Sequence, residues 1–338
     1  MRTNLAPYLT AIGNRIFEII ESATRIKTKT ETKTKNEVIK DAILHSIKAG
    51  GKRLRASFIV MSHLLVYEED VDLETSIHTI DNLISYSACV ELLHSASLII
   101  DDIVDSSDMR RGVKSVNAQW GNKIAVITGS FILSALSYEL AKIGNTEVIK
   151  RFSNTAKIMS EGEATEITLS HNPDATIEDY LEIVKSKTAE LFSLCCSIPS
   201  ILKKDEKNVD IMGKIGLDIG IAFQIKDDIL DFESDSSLGK PLLKDVKEGK
   251  VTIPLILSLK KKSSDDIKNI FSNSQNISEK DIEFICNFVK ETGGLESAYK
   301  LANEYISKVE RAVSINFKNS RFKNDFLELV NFTIGRIN

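Results

Sequence analysis

Proline is scarce in this chain. Five occur in 338 residues (Pro7, Pro173, Pro199, Pro241 and Pro254), and glycine numbers only 16. Proline breaks helices and glycine weakens them, so their scarcity leaves long stretches free to coil. Sustained apolar–polar alternation is also missing. Apolar residues recur instead at three- and four-residue spacing, which predicts an all-α chain. The four cysteines, Cys89, Cys195, Cys196 and Cys286, form no CxxC pair and no zinc-ligand spacing. They are expected as reduced core thiols of a cytoplasmic protein. The N-terminus lacks a signal-peptide pattern, and no unbroken apolar run approaches ~18 residues, so neither secretion nor a membrane span is expected. Positive charge is not in excess: 44 Lys and Arg stand against 48 Asp and Glu, a net charge of −4. That argues against a general nucleic-acid binder, while leaving room for local basic pockets. With 42% hydrophobic residues the chain can bury a sizeable core.

No shift in composition marks a boundary, so residues 1–338 read as a single domain, a helical bundle. Turn chemistry marks its breaks. The stretch 26–38, IKTKTETKTKNEV, reads as a solvated loop, and AGGKRLR at 49–55 places two glycines between helical segments. SSDMRRG at 106–112 ends a helix. HNPDAT at 171–176 reads as a turn, with Thr176, Glu178 and Asp179 opening the next helix. A longer charged loop spans 234–250, and 322–338 closes the chain as a helix.

Two acidic clusters stand out. In LIIDDIVDSSDMRRG (98–112), Asp101, Asp102 and Asp105 crowd the end of an apolar run. Like charges one helical turn apart repel, so a cation is expected there. On a helix over 87–105, residues four apart lie about 40° apart around the axis. His94, Ser97, Asp101 and Asp105 therefore share a face, with Asp102 about 100° away. QIKDDILDF (224–232) repeats the pattern with Asp227, Asp228 and Asp231, and Gln224 lies on the same face as Asp228 and Asp231. Upstream, Gly216 and Gly220 are spaced for a close helix approach. Paired carboxylates without soft ligands suit a hard cation such as Mg2+, which takes oxygen ligands and is commonly completed by substrate phosphate oxygens. Two such helices across a cavity suit a metal–diphosphate. Lys52, Arg53 and Arg55 follow Gly50 and Gly51. Arg110 and Arg111 follow the first cluster. Lys187 and Thr188 lie in KSKTAELF, and Lys240 and Lys250 lie in the charged loop. Arginine forks match phosphate oxygens.

GGKRLR, DDIVDSSDMRRG, KTAELF, FQIKDDILDF, LGKP and EGKVTIP occur together and in this order. In these motifs the chain resembles the trans-isoprenyl diphosphate synthases, or polyprenyl synthetases, over nearly its whole length. The resemblance implies an all-α bundle around a deep central cavity, usually a homodimer, acting on isopentenyl diphosphate and an allylic diphosphate such as farnesyl or geranylgeranyl diphosphate. It implies Mg2+, about three ions, between the two clusters and the allylic diphosphate. Asp101, Asp105, Asp227 and Asp231 are the implied ligands, with Asp102 and Asp228 supporting. Lys52, Arg55, His94 and Arg111 match the isopentenyl diphosphate site. Arg110, Lys187, Thr188, Gln224, Lys240 and Lys250 match the allylic diphosphate site, and dipoles of Lys187, Thr188 and Gln224 face the allylic cation.

Product length in such enzymes is set before the first cluster. Large aromatics four or five residues upstream close the tunnel early. Ala96 and Ser97 stand there, with Leu93 and Phe131 as candidate floor residues, which points to a medium- or long-chain product such as octaprenyl diphosphate, expected to be handed over to a membrane. Departures from the family pattern are Ile100 for His, Ser130 for Asp, Leu243 for Gly and Ala56 for Pro. The alternatives are a short-chain synthase, a class I terpene cyclase, or a weakly active subunit of a heteromeric synthase. The second acidic cluster and GGKRLR weigh against the cyclase, and both clusters being whole weighs against the weak subunit.

Overall fold

The computed structural model describes residues 2–24, 35–67, 77–233, 243–273 and 277–335. Helices dominate them: α1 (Arg2–Thr24), α2 (Lys35–Lys48), α3 (Leu54–Tyr67), α4 (Ile77–Val104), α5 (Val116–Trp120), α6 (Asn122–Ile143), α7 (Thr146–Leu169) and α8 (Ile177–Val184). There follow α9 (Glu190–Leu202), α10 (Glu206–Glu233), α11 (Lys244–Lys247), α12 (Ile253–Lys261), α13 (Asp265–Asn273), α14 (Glu279–Glu291), α15 (Gly294–Asn316) and α16 (Arg321–Ile334). A π-helical turn, Lys185–Ala189, joins α8 to α9. The all-α expectation holds, with one small exception. Met109–Arg110 (β1) and Val113–Lys114 (β2) pair antiparallel. Strands of two residues are too short to leave a period-2 pattern. Arg111 (φ 53) and Gly112 (φ 81) are both left-handed, as a two-residue type I′ hairpin turn requires. RRG therefore forms the tip of a hairpin. Lys240, Gly239 and Pro241 of the charged loop, and residues 25–34 of the threonine-rich stretch, lie outside the described residues.

Contacts divide the chain into two compact units: Met1–Ser153 with Ser197–Val209, and Asn154–Cys196 with Asp210–Asn338. In the first, α4 packs against α1, α3 and α6. Its inward residues include Leu83, Tyr86, Cys89, Leu92, Leu93, Ala96 and Ile99, all buried. Residues Asp81–Val104 and Asn122–Ile143 are helical, and long and apolar enough to cross a bilayer. Counting unbroken apolar runs missed them, because scattered polar and charged residues interrupt the runs while the average stays apolar. Most of Asp81–Val104 is buried, as a core helix must be. Arg53, grouped above with the diphosphate cations, serves the fold instead. Its Nη1 donates to Leu9 O at 2.6 Å, and Gly13 leaves room for the guanidinium. It ties the loop before α3 to α1.

In the second unit, Phe232, Leu243, Val246, Leu255, Ile267, Phe271, Ile285 and Val289 form one apolar cluster. Leu243, where the resemblance implied glycine, adopts the left-handed conformation, φ 52. That costs about 1–2 kcal/mol. Full burial of its side chain contributes about 1.5–3 kcal/mol and offsets the strain. The close approach expected of Gly216 and Gly220 is present. A Cβ on Gly216 would lie 2.5 Å from Phe192 O, and one on Gly220 2.4 Å from Ala189 Cα. α10 therefore packs directly against the backbone of the π-helical turn and the start of α9. Gly220→Ala is expected to destabilise the fold by about 1–3 kcal/mol through overpacking. Urea unfolding checks this, and an unchanged midpoint contradicts the close packing.

Candidate functional site

The first acidic cluster forms the end of α4. Carboxylates there face the negative end of the helix dipole, so they need cationic compensation. Asp102 is 4% exposed, and its Oδ1 lies 3.1 Å from Arg110 Nε. Its backbone carbonyl accepts from Ser107 N at 2.9 Å and from Asn117 Nδ2 at 3.2 Å. Asp101 and Asp105, one turn apart, remain partly exposed. Arg110, matched above to the allylic diphosphate, is thus already paired with the buried member of the cluster. Arg111 follows at the hairpin tip. Its guanidinium lies over Gly51, where a Cβ would come within 3.0 Å of Nη1. The glycine loop and the arginine hairpin, 60 residues apart in sequence, meet there.

Arg55 Nη1 lies 3.0 Å from His94 Nε2. A guanidinium can only donate, so Nε2 is the acceptor and the imidazole is neutral with its proton on Nδ1. Burial, then Arg55, Arg111 and Arg110, hold His94 well below the usual histidine pKa. Sequence reasoning missed Glu91, one turn before His94 on α4. Its carboxylate accepts from Ala56 N at 3.1 Å, a bond that the proline expected at that position could not donate. Burial raises the Glu91 pKa, against the pull of that bond and of Arg55, Arg53 and Arg111. Its spacing of three from His94 was the available signal. Lys52 is exposed at the start of this segment.

The second cluster lies on α10 and repeats the arrangement. Asp228 is 2% exposed, whereas Asp227 and Asp231 are partly exposed. Asp228 Oδ2 accepts from Tyr180 Oη at 2.6 Å and Oδ1 from Gln224 Nε2 at 2.9 Å. Gln224 Oε1 accepts in turn from Thr188 Oγ1 at 3.0 Å. Asp231 accepts from the backbone N–H groups of Lys244 and Asp245, each at 3.2 Å, and so anchors the segment leading to Lys250. Burial and then Asp231 push Asp245 up to about 6. Lys187 Nζ sits 2.5 Å from both Glu163 and Glu166. Lys250 Nζ sits 2.8 Å from Glu248. Glu163 and Glu166 were not anticipated; EGEATE at 161–166, with Gly162 against the backbone of Lys187, was the trace they left. Among the described residues, no group of three or more His, Cys, Asp or Glu is placed to hold a metal ion.

The model of the polyprenyl synthetase family matches residues 36–289. The chain belongs to this family. It is 32% identical over 334 residues to geranylgeranyl diphosphate synthase of Saccharolobus solfataricus, covering 95% of this chain and 97% of that protein. The crystal structure of a decaprenyl diphosphate synthase from Rhodobacter capsulatus matches it with a TM-score of 0.85 at 26% identity, covering 100% of this chain and 98% of that one. The polyprenyl synthase from Caulobacter crescentus CB15, complexed with calcium and isoprenyl diphosphate, matches with a TM-score of 0.85 at 25% identity and the same coverage. This polyprenyl synthetase has the all-α isoprenoid synthase fold, and it is a trans-prenyltransferase.

Upstream of its first cluster, Leu93 and Ala96 are buried, while Ser97 and Phe131 are partly exposed. Ser97 Oγ donates back to His94 O at 2.9 Å, which keeps its side chain short and folded onto α4. Ile100 Cγ1 would lie 3.5 Å from a Cβ on Gly129, and Ala96 O 3.8 Å. Ile100, the departure noted above, therefore sits beside Gly129 of α6 yet stays exposed, as does Ser130.

Neutral His94 links stability to pH. Its depressed folded pKa means that its contribution is full above the unfolded value of about 6.5 and is lost as pH falls below it. Between about pH 7.5 and 5, the denaturation midpoint of the wild type is expected to fall more steeply than that of His94→Gln. Equal slopes contradict the buried neutral imidazole.

Proposed function

We propose that this enzyme elongates an allylic diphosphate with isopentenyl diphosphate to an all-trans medium- or long-chain polyprenyl diphosphate, with farnesyl or geranylgeranyl diphosphate as primer. One observation carries the reading: each DDxxD helix buries its second aspartate on internal partners and leaves the first and last partly exposed. The donor set is all carboxylate oxygen, which fits a hard divalent ion and excludes a preference for soft metals. Asp101, Asp105, Asp227 and Asp231 would hold Mg2+. Two carboxylates per helix would leave coordination positions for diphosphate oxygens. Bound there, the ion neutralises the diphosphate and favours its departure as pyrophosphate.

The chain's own groups do the rest. Arg55, Arg111, Lys52 and the Nδ1–H of His94 bind isopentenyl diphosphate. Arg110, Lys187 and Lys250 bind the allylic diphosphate, Lys187 and Lys250 turning from their glutamates toward it. The bond from the allylic carbon to the diphosphate oxygen breaks and its electron pair leaves with pyrophosphate. The oxygen of Gln224 and the hydroxyl of Thr188 face the allylic cation. The double bond of isopentenyl diphosphate attacks it, and the proton lost from the adduct passes to pyrophosphate. Small residues at 96 and 97 let the product grow past α4.

Purified protein with Mg2+, farnesyl diphosphate and labelled isopentenyl diphosphate is expected to give products longer than twenty carbons by thin-layer sizing. A product of fifteen or twenty carbons contradicts the chain-length reading, and no extension at all contradicts the activity. Asp101→Asn and Asp227→Asn are each expected to lower kcat by about 100-fold. Ser97→Phe should shorten the product. It is a cleaner test than Ala96→Tyr, because Ala96 is fully buried and a large ring there costs about 1–3 kcal/mol of overpacking. An unchanged length distribution in Ser97→Phe contradicts the wall assignment.

A further inference from the structure

Tyr180 belongs to none of the family motifs quoted above, yet it makes a short hydrogen bond in the second unit. It lies on α8, 7% exposed, and its hydroxyl donates to Asp228 at 2.6 Å. The start of α8 is fixed by a reciprocal cap: Thr176 Oγ1 accepts from Asp179 N at 3.1 Å, and Asp179 accepts from Thr176 N at 2.9 Å. Eight residues after Tyr180, Thr188 reaches Gln224. In a straight α-helix these two side chains would point about 80° apart. The π-helical turn Lys185–Ala189 is wider, and each residue in it advances less around the axis. It removes most of the offset, so Tyr180 and Thr188 face α10 together. Gly162 and Gly220 make room for the turn; a Cβ on either would lie within 2.7 Å of its backbone or side chains.

The outcome is a closed set of hydrogen bonds. Tyr180 holds one oxygen of Asp228, the other oxygen takes the Gln224 amide N–H, and Thr188 donates to the Gln224 oxygen. An amide with a carboxylate on one side and a hydroxyl donor on the other has one favoured orientation. We propose that Tyr180 is a positioning residue for catalysis: through Asp228 it fixes the Gln224 amide with its oxygen, not its nitrogen, on the side of Thr188. A glutamine free to rotate would present N–H donors to the allylic cation part of the time and would stabilise it less. The inference rests on the reading of Gln224 as a group facing that cation.

Tyr180→Phe removes only the hydroxyl. It is expected to lower kcat for elongation by about tenfold, the scale of one lost buried hydrogen bond, with KM for both diphosphates within about twofold. Gln224→Ala is expected to lower kcat at least as much. In the Gln224→Ala background, Tyr180→Phe should then have no further effect, since residues acting through a common group are not additive. Asp228→Asn, which keeps the side-chain volume, should behave as Tyr180→Phe does and serves if the phenylalanine variant does not fold. A tenfold loss that repeats in full in the Gln224→Ala background overturns the inference, as does a rise in KM at unchanged kcat. If the wild type elongates but Gln224→Ala keeps its full kcat, the reading of Gln224 itself fails, a pattern distinct from either.

Discussion

One buried carboxylate in each acidic cluster organises its surroundings. A charged group taken out of water is costly unless it is paired and hydrogen-bonded. The Asp102 carboxylate answers with Arg110, while its backbone carbonyl takes the bonds from Ser107 and Asn117 that shape the following hairpin. Asp228 answers with Tyr180 and Gln224. The partners come from different elements, so satisfying the buried acid also fixes where those elements lie. The two outer carboxylates, one turn apart, then share a face by helix geometry alone. The motif has two parts: i and i+4 on the partly exposed face, i+1 in the scaffold, with Asp231 at i+4 of the second cluster also holding the N–H groups of Lys244 and Asp245.

The basic residues follow the same economy. Lys187 rests between Glu163 and Glu166, and Lys250 against Glu248. Arg55 leans on His94, with Glu91 below. Lys187, Lys250 and Arg110, all expected to meet a diphosphate, thus each have a carboxylate partner already. This keeps the site from being a net repulsive cluster before substrate arrives. It also means that a diphosphate must displace carboxylates to reach Lys187 and Lys250.

Much of this was legible in the sequence. Helical periodicity, the paired DDxxD patterns, and the close approach at Gly216 and Gly220 all came from local spacing. Thr176 and Asp179 announced their helix. What was not legible depends on contacts between distant segments. Arg53 reads like its neighbours Lys52 and Arg55, yet only packing on Gly13 and Leu9 shows it to be a strut. Tyr180, Glu91, Glu163 and Glu166 resemble ordinary helix residues until a partner from another helix is in view. The hairpin at RRG was hidden because two-residue strands carry no periodicity. The π-helical turn has no composition of its own; its only sign was the pair of glycines that make room for it.

Asp101 with Asp105, and Asp227 with Asp231, are proposed to bind a divalent ion together with a diphosphate. Titration calorimetry of Mg2+ into the protein, with and without inorganic pyrophosphate, tests it most directly. Weak binding of Mg2+ alone, tight binding with pyrophosphate present, and loss of the tight phase in both Asp101→Asn and Asp227→Asn are expected. Tight Mg2+ binding without pyrophosphate, or a tight phase that survives either substitution, would contradict it.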